Sequence, residues 1–352
     1  MTKTKMMRFL LSSLIAVSAL GRAQVKNTTP SVATKASGVL QLKSDVGVKF
    51  SGPNNGQVAC DGAGNVYARP VMFGALPEIA ARAPVQQIKT DGTLGRSYRI
   101  ADASPDLLIP VSGFFVAANG KVYIVGWSGE PDHLGGRIYV VAFSAEGSVE
   151  SVVHIDSRER FSPQSLAVFD SGEMLLSGWQ GETGHTPYAA VFASDGTLSK
   201  KIVQPEDAEL AKRADAGEAD LMPGPEYGNV AALGRVIIGS DGNAYLMRRA
   251  SPVVVYVVSR SGEVVRTLHI DATGLRPLDI QSAEGTLAIF FGSDSGNQAL
   301  RVVDFSGNQL ASLDIFGGGE GNQSFACYTP ATYSFFASDE SGNTYLRKFE
   351  LR

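Results

Sequence analysis

The sequence has few of the residues that usually carry catalysis or cross-linking. Its 352 residues include two cysteines, Cys60 and Cys327, and four histidines. We find no nucleophile elbow, no HExxH motif, no cysteine paired with a histidine and no phosphate-binding loop. These absences favour a binding or scaffold protein over an enzyme.

The sequence also lacks an apolar run long enough to cross a membrane as a helix. The N-terminal run over residues 9–20 has 12 residues, whereas a spanning helix needs about 20. Three basic residues precede the run and Gly21-Arg22-Ala23 follows it, which is typical of a secretory signal peptide over residues 1–23. Residues 24–37 are polar and aperiodic, which predicts a flexible lead-in. We therefore expect a secreted or periplasmic protein without a transmembrane segment.

Positive charge is scarce once the predicted signal peptide is removed. Residues 1–23 carry four basic and no acidic residues, so the remaining chain has 27 basic against 35 acidic residues. A net charge near −8 argues against nucleic acid or an anionic membrane as the partner.

A tight glycine turn between two apolar strands recurs along the chain. Examples are VACDGAGNVYA over residues 58–68 and IIGSDGNAYLM over residues 237–247. Glycine suits such a turn because positive φ costs it nothing. The glycines of this inner turn are Gly64, Gly120, Gly172, Gly242, Gly285 and Gly342.

A second, outer glycine turn follows each of the first five inner turns. Two hairpins make a four-stranded unit, and the units recur every 43 to 70 residues. This pattern is typical of the blades of a β-propeller. The outer glycines are Gly92, Gly147, Gly196, Gly262 and Gly307.

The sixth unit lacks its outer hairpin at the C-terminus. The segment GVLQLKSDVGVKF, residues 38–50, is similar to the outer hairpin of the first unit. We therefore expect a composite last blade, with two strands from residues 333–352 and two from residues 38–50. The prediction is an all-β, six-bladed propeller over residues 38–352, with four-stranded antiparallel blades and a closed ring.

These turns, such as SDGNAYL and FASDG, resemble those of bacterial six-bladed propellers of the NHL and TolB-like kind. The resemblance is one of architecture, and many unrelated functions share that architecture.

The expected positions of the two cysteines follow from this arrangement. Cys60 lies four residues before Gly64, whereas Cys327 lies fifteen before Gly342. We expect them at different heights in their blades, as two separate buried thiols. A disulfide is the alternative for an exported protein.

The long and irregular segments all follow second strands or connect blades, which places them at one face of the ring. They include residues 70–84, 128–136 and 180–187, and a blade-connector insertion over residues 204–228 that begins with a predicted short helix. Loops on a rigid scaffold are common binding sites. We therefore expect the functional site of the protein at this face.

A repeated motif, GWxGExxH, falls in two of these segments. It contains both tryptophans of the chain. One interpretation is structural, with each tryptophan packed between sheets; a second is a ligand site that uses the tryptophan faces; a third is a divalent metal site. The candidate ligand-binding residues are Trp127, Glu130, His133, Trp179, Glu182 and His185.

Other polar residues have simpler explanations. His154 and His269 occupy equivalent positions near the ends of outer strands, which indicates a structural role. The aspartates of the inner turns are expected to bond their own turn backbone rather than calcium. They are Asp61, Asp170, Asp241 and Asp339.

The sequence therefore predicts an exported, monomeric propeller that binds a protein, peptide or glycan through its loop-rich face, without a cofactor. The alternative is a metal-dependent hydrolase or lyase with its ion at the channel mouth. Glu130, His133, Glu182 and His185 would then hold the metal.

Overall fold

The computed structural model describes residues 36–50, 58–69, 83–107, 113–128, 137–157, 161–180, 186–204, 233–248, 253–271, 275–293, 297–315, 322–339 and 341–351. The predicted signal peptide and nearly all of the lead-in lie outside the described residues.

Four separate antiparallel sheets follow one another along the chain, each with four strands in sequence order. The first sheet contains β2 (Val58–Cys60), β3 (Val66–Ala68), β4 (Val85–Ile88) and β5 (Leu94–Tyr98). The second contains β6 (Phe114–Val116), β7 (Val122–Ser128), β8 (Arg137–Phe143) and β9 (Val149–Ile155). The third contains β10 (Phe161–Val168), β11 (Met174–Gln180), β12 (Thr186–Phe192) and β13 (Leu198–Lys201). The fourth contains β14 (Leu233–Ile238), β15 (Ala244–Arg248), β16 (Val253–Val258) and β17 (Val264–Ile270).

The remaining strands form one eight-stranded sheet, in the order β18-β19-β20-β21-β1-β24-β23-β22. Its strands are β18 (Arg276–Ala283), β19 (Thr286–Gly292), β20 (Gln298–Asp304), β21 (Gln309–Ile315), β22 (Asn322–Thr329), β23 (Thr332–Ser338), β24 (Thr344–Leu351) and β1 (Ala36–Val48). The expectation of six separate four-stranded sheets is therefore wrong in this part of the chain. The cause is β1, whose first five residues pair in parallel with β21 while the rest pairs antiparallel with β24.

The innermost strands form a closed ring. Each of β2, β6, β10, β14, β18 and β22 contacts the next, and β22 contacts β2. Apolar clusters fill the space between each neighbouring pair of strand sets, including the pair formed by the last strands and the first sheet. This arrangement is a β-propeller, as the turns predicted, and the described residues contain no helix beyond the short 3-10 turn Ile100–Asp102.

Burial is highest in the middle strands of a sheet and lowest in its outer strand. In the fourth sheet, every residue of the middle strands β15 and β16 is buried, whereas the outer strand β17 contains buried, partly buried and exposed residues. A strand covered on both faces can therefore be apolar throughout, as in the run of valines and one tyrosine in β16, and an outer strand needs only one apolar face.

All the predicted glycines lie in turns, although Gly342 joins a different pair of strands from the one expected. Each of the inner and outer glycines has positive φ, between 78° and 97°. In Asp61 to Gly64, the glycine N–H donates to the carbonyl of the residue three before it, at 3.0 Å. This geometry is a turn followed by one left-handed residue, which a β-carbon would strain.

Three of the four predicted aspartates, Asp61, Asp241 and Asp339, act as turn formers. The carboxylate of Asp61 accepts hydrogen bonds from the backbone and side chain of Asn65 and from the Tyr67 hydroxyl, all within 3.0 Å. Asp241 and Asp339 make the same set of bonds with a following asparagine and tyrosine.

The composition of the last blade differs from the expectation. Three strands, β22 to β24, come from the C-terminal end, and residues 36–48 form one continuous strand rather than a hairpin. Gly342 therefore lies between the second and third strands of this set, not between the first and second. The turn of β22 and β23, at residues 329–332, has no glycine, so the sequence repeat pointed to the wrong turn.

The two cysteines are also placed differently from the expectation. Cys60 ends β2 and Cys327 lies near the end of β22, and both belong to the apolar cluster between these neighbouring strands. The prediction of different heights failed because it counted Cys327 from Gly342, which is not the inner turn of its set. Both thiols are free in this structure.

Candidate functional site

The two ends of the propeller differ in the length of the segments that connect the strands there. At the end that we call the turn end, short hydrogen-bonded turns join the first and second strands of each of the four separate sheets, and also the third and fourth. The strand ends that flank the long connecting segments lie at the opposite, loop-bearing end. These segments are residues 70–82, 129–136, 181–185 and 205–232, and they lie outside the described residues.

The structure places both tryptophans at the loop-bearing end. Trp127 is the next-to-last residue of β7 and Trp179 is the next-to-last residue of β11, the second strands of neighbouring sheets. Trp127 is 9% exposed and Trp179 is 8% exposed. Packed rings of this kind support the structural interpretation of the tryptophans themselves. The other candidate ligand-binding residues, Glu130, His133, Glu182 and His185, lie outside the described residues.

The glycine before each tryptophan allows a close approach. A β-carbon on Gly178 would lie 1.9 Å from the backbone oxygen of Ser162, on the neighbouring strand β10. A β-carbon on Gly126 would instead meet the tip of the Ile100 side chain at 2.4 Å. The repeated Gly-Trp pair thus has a packing reason in both sheets, and the reason differs between them.

Polar bonds link neighbouring inner strands around the ring. The Val236 N–H donates to the Ser165 hydroxyl at 3.0 Å, joining β14 to β10. The Gln281 side-chain amide donates to the Phe325 carbonyl at 3.1 Å, joining β18 to β22. Arg235 and Asp279 form an ion pair at 3.2 Å between β14 and β18. Sequence reasoning missed these contacts, although Arg235 is a lone polar residue within the otherwise apolar strand β14.

Buried arginines follow two second strands at the loop-bearing end. Arg248 ends β15, is 0% exposed and donates to the Gln204 side chain at 2.6 Å. Arg69 follows β3, is 6% exposed and donates to the Ala83 carbonyl at 3.3 Å. Burial lowers the pKa of Arg69 to about 10, so it remains a cation at neutral pH. The signal in the sequence was an arginine directly after an apolar run.

The described residues contain no group of three or more His, Cys, Asp or Glu side chains that could hold a metal ion. His154 and His269 occupy the next-to-last positions of β9 and β17, which confirms their equivalence. The His154 ring packs against Tyr139 with centroids 5.3 Å apart. Within the same part of the chain, no helix is long and apolar enough to cross a membrane.

No protein-family model matches the chain, and no curated protein matches it. Among solved structures, it is similar to a protein of unknown function from Bacteroides caccae, with a TM-score of 0.45 and 12% identity, over 74% of this chain and 85% of that one. It is also similar to the WD40 domain of Pan2 from Neurospora crassa, with a TM-score of 0.45 and 9% identity, over 88% of this chain and 95% of that one. The class, a β-propeller, rests on the sheets described above.

Proposed function

We propose that this protein is an exported propeller that binds a protein, peptide or glycan at its loop-bearing end. The observation that carries the proposal is the difference between the two ends. One end is closed by hydrogen-bonded turns, whereas every long connecting segment starts and finishes at the other. A rigid ring that presents variable segments on one face is the usual arrangement of a binding scaffold.

We further propose that the ring counts six blades and belongs with propellers of the NHL and TolB-like kind. The ring of innermost strands supports this count, because the eight-stranded sheet contributes two of them, β18 and β22. In this interpretation β1 is the outer strand of the last blade and also reaches the blade before it.

The proposed ligand contacts are Glu130, His133, Glu182 and His185, with Trp127 and Trp179 beneath them. The low exposure of both tryptophans supports a role in anchoring the segments that follow them rather than in forming an open platform. Carboxylates accept hydrogen bonds, and a neutral imidazole both donates and accepts them, which suits peptide and sugar ligands.

Intrinsic fluorescence tests the proposal, because the only two tryptophans of the chain lie at the proposed binding end. The protein is titrated with defined oligosaccharides and peptides. We expect a saturable change in emission with at least one of them. The variants Trp127→Phe and Trp179→Phe each leave one reporter and show which sheet responds.

Two matched variants locate the site. Replacing His133 and His185 together by alanine should weaken binding by about tenfold or more, because each loses a polar contact of about 1 kcal/mol. Lys121→Ala, at the turn end, should leave affinity unchanged. Loss of binding in Lys121→Ala, with normal binding in the histidine variant, would show that the proposed end is wrong.

The metal-dependent hydrolase or lyase remains the second candidate, because the repeated Glu and His residues are suitable ligands for a divalent ion. Elemental analysis of the purified protein for calcium, zinc, manganese and iron separates the two. About one ion per chain, lost in the double histidine variant, would favour the enzyme. A protein without bound metal that still binds a glycan or peptide would favour the binding function.

A further inference from the structure

The two cysteines lie where the chain's first and last inner strands meet. β2 begins the first sheet and β22 begins the last three strands, and the two are neighbours in the ring. In the chain they are separated by all the strands from β3 to β21, and β1, which precedes β2, pairs with β24 by hydrogen bonds. The junction of β2 and β22 is therefore held entirely by non-covalent contacts.

A β-bulge directs Cys327 towards Cys60. Phe325 pairs with Phe335 and belongs to the cluster on the other side of the strand. Without an irregularity, Cys327 would point to that same side, because side chains alternate along a strand. The register shifts between Phe325 and Cys327, which places Ala326 and Cys327 in the cluster that contains Cys60.

The two thiols lie in the same apolar cluster, between the neighbouring strands β2 and β22. Burial, and then a side-chain hydrogen bond with Cys60, raise the pKa of Cys327. Cys327 is 7% exposed, whereas Cys60 is partly exposed. Two neighbouring side chains of one cluster therefore have to approach each other to the ~2 Å of an S–S bond.

We propose that Cys60 and Cys327 are an oxidation site, at which an intramolecular disulfide joins β2 to β22 and locks the ring. This inference goes beyond the binding function and does not depend on the identity of the ligand. The bond would close a loop of 267 residues, from position 60 to position 327. Long loops lose the most unfolded-state entropy on cross-linking.

The oxidant is a disulfide, either of a small thiol such as glutathione or of an oxidoreductase. The Cys60 thiolate attacks one sulfur of the oxidant, whose S–S bond breaks and releases one thiol. The Cys327 thiolate then attacks the Cys60 sulfur of the mixed disulfide, and the second thiol leaves. The two leaving thiolates take up the two protons that Cys60 and Cys327 lost, so the oxidant accepts two electrons and two protons and leaves as two thiols.

The order of attack follows from exposure. An oxidant can reach Cys60, which is partly exposed, whereas Cys327 is buried. Cys327 then acts only on a sulfur that is already its neighbour, so its raised pKa slows the second step without preventing it.

The test uses the full chain, incubated with glutathione disulfide or with dithiothreitol and then denatured and alkylated. After oxidation we expect no alkylated cysteine and a mass lower by two hydrogen atoms than that of the reduced protein. We also expect the unfolding temperature to rise by on the order of 5–10 °C, and dithiothreitol to reverse it. Two alkylated thiols after oxidation, a mixed disulfide that persists on Cys60, or a disulfide-linked dimer would each overturn the proposal.

Cys60→Ala is the control. It keeps Cys327 but removes its partner, so glutathione disulfide should no longer raise the unfolding temperature. An equal rise in this variant would show that the oxidant acts elsewhere. Should the variant fail to fold, the thiol count and mass of the unaltered protein still decide the proposal.

Discussion

Gly196 lies in the outer turn of the third sheet, against the backbone of the strand that precedes this sheet. Its φ is +87°, and a β-carbon there would lie 1.9 Å from the His154 carbonyl oxygen. Gly242 has a similar φ of +78°, but a β-carbon would meet nothing within 4 Å. Alanine at position 242 would therefore meet backbone strain alone, whereas alanine at position 196 would meet backbone strain and steric overlap.

We expect Gly242→Ala to lower the free energy of unfolding by about 1–2 kcal/mol, which is the cost of a left-handed alanine. Gly196→Ala should cost about 3 kcal/mol or more, because overlap with the His154 backbone adds to that strain. Urea unfolding followed by circular dichroism measures both. Equal losses in the two variants would contradict the contact between the third sheet and β9.

The ion pair of Arg235 and Asp279 is the second residue-scale feature. Its side chains are 11% and 17% exposed, so the pair is largely removed from water. Asp279 also accepts a hydrogen bond from the Ile280 N–H at 2.8 Å. A largely buried ion pair costs most when only one partner is removed.

We expect Asp279→Leu to lower the free energy of unfolding by about 3 kcal/mol, because it leaves the Arg235 cation without this carboxylate. The double variant Arg235→Leu/Asp279→Leu should lose less than the two single losses added together. A double-mutant cycle in urea measures the coupling. Additive losses would mean that the pair does not stabilise the β14 to β18 contact.

At the scale of elements, the aspartate turn is the recurring unit. In the turn between β23 and β24, Asp339 accepts bonds from the Asn343 side chain at 2.9 Å and its backbone N–H at 2.8 Å. The side-chain bond of Asn343 is the largest cause that lowers the pKa of Asp339. Hydrogen bonds from Thr197 likewise lower the pKa of Asp195 in an outer turn.

These shifts predict a loss of stability in acid. Because the folded-state pKa lies below the unfolded value near 4, the contribution of Asp339 is present at neutral pH and is lost as pH falls through the folded pKa. We expect Asp339→Asn to unfold at a lower urea concentration than the unaltered protein at pH 7, and the difference to shrink at pH 3. The same exchange at the exposed Asp106 is the control, and a constant difference at Asp339 would contradict the prediction.

At the scale of the whole molecule, one strand decides how the ring closes. Leu40 of β1 is fully buried in the cluster that also contains Leu313 and Phe349. β1 covers the edge of β24 and part of the edge of β21. Without it, both edges and part of this cluster would be open to solvent.

We therefore expect a chain that begins at residue 51 to be markedly less stable, and a synthetic peptide of residues 36–50 to restore its unfolding temperature. The peptide has one well-defined binding position, between β24 and β21. A peptide with Leu40→Asp should fail to restore it, because a charge would enter the buried cluster. Calorimetry measures both, and a shortened chain as stable as the complete one would contradict the role of β1.

The sequence by itself determined the turns, and through them the class of fold. A residue with positive φ leaves a local signature, because glycine alone adopts it without strain. The spacing of those glycines was therefore enough to predict four-stranded units, the end that carries the long segments and the equivalence of His154 and His269. The aspartate turns were predictable for the same reason, since each bonds only to its own neighbours.

Only the tertiary structure decided how distant strands meet. The single long β1, the merging of two strand sets, the approach of Cys60 to Cys327 and the ion pair of Arg235 with Asp279 all depend on residues far apart in the chain. Local turn chemistry carries no information on such pairings, and one bulge near Phe325 was enough to reverse the face of a side chain. The repeat could be predicted from the sequence because each turn is local. The closure of the ring depends instead on packing and register between strands that lie far apart in the chain.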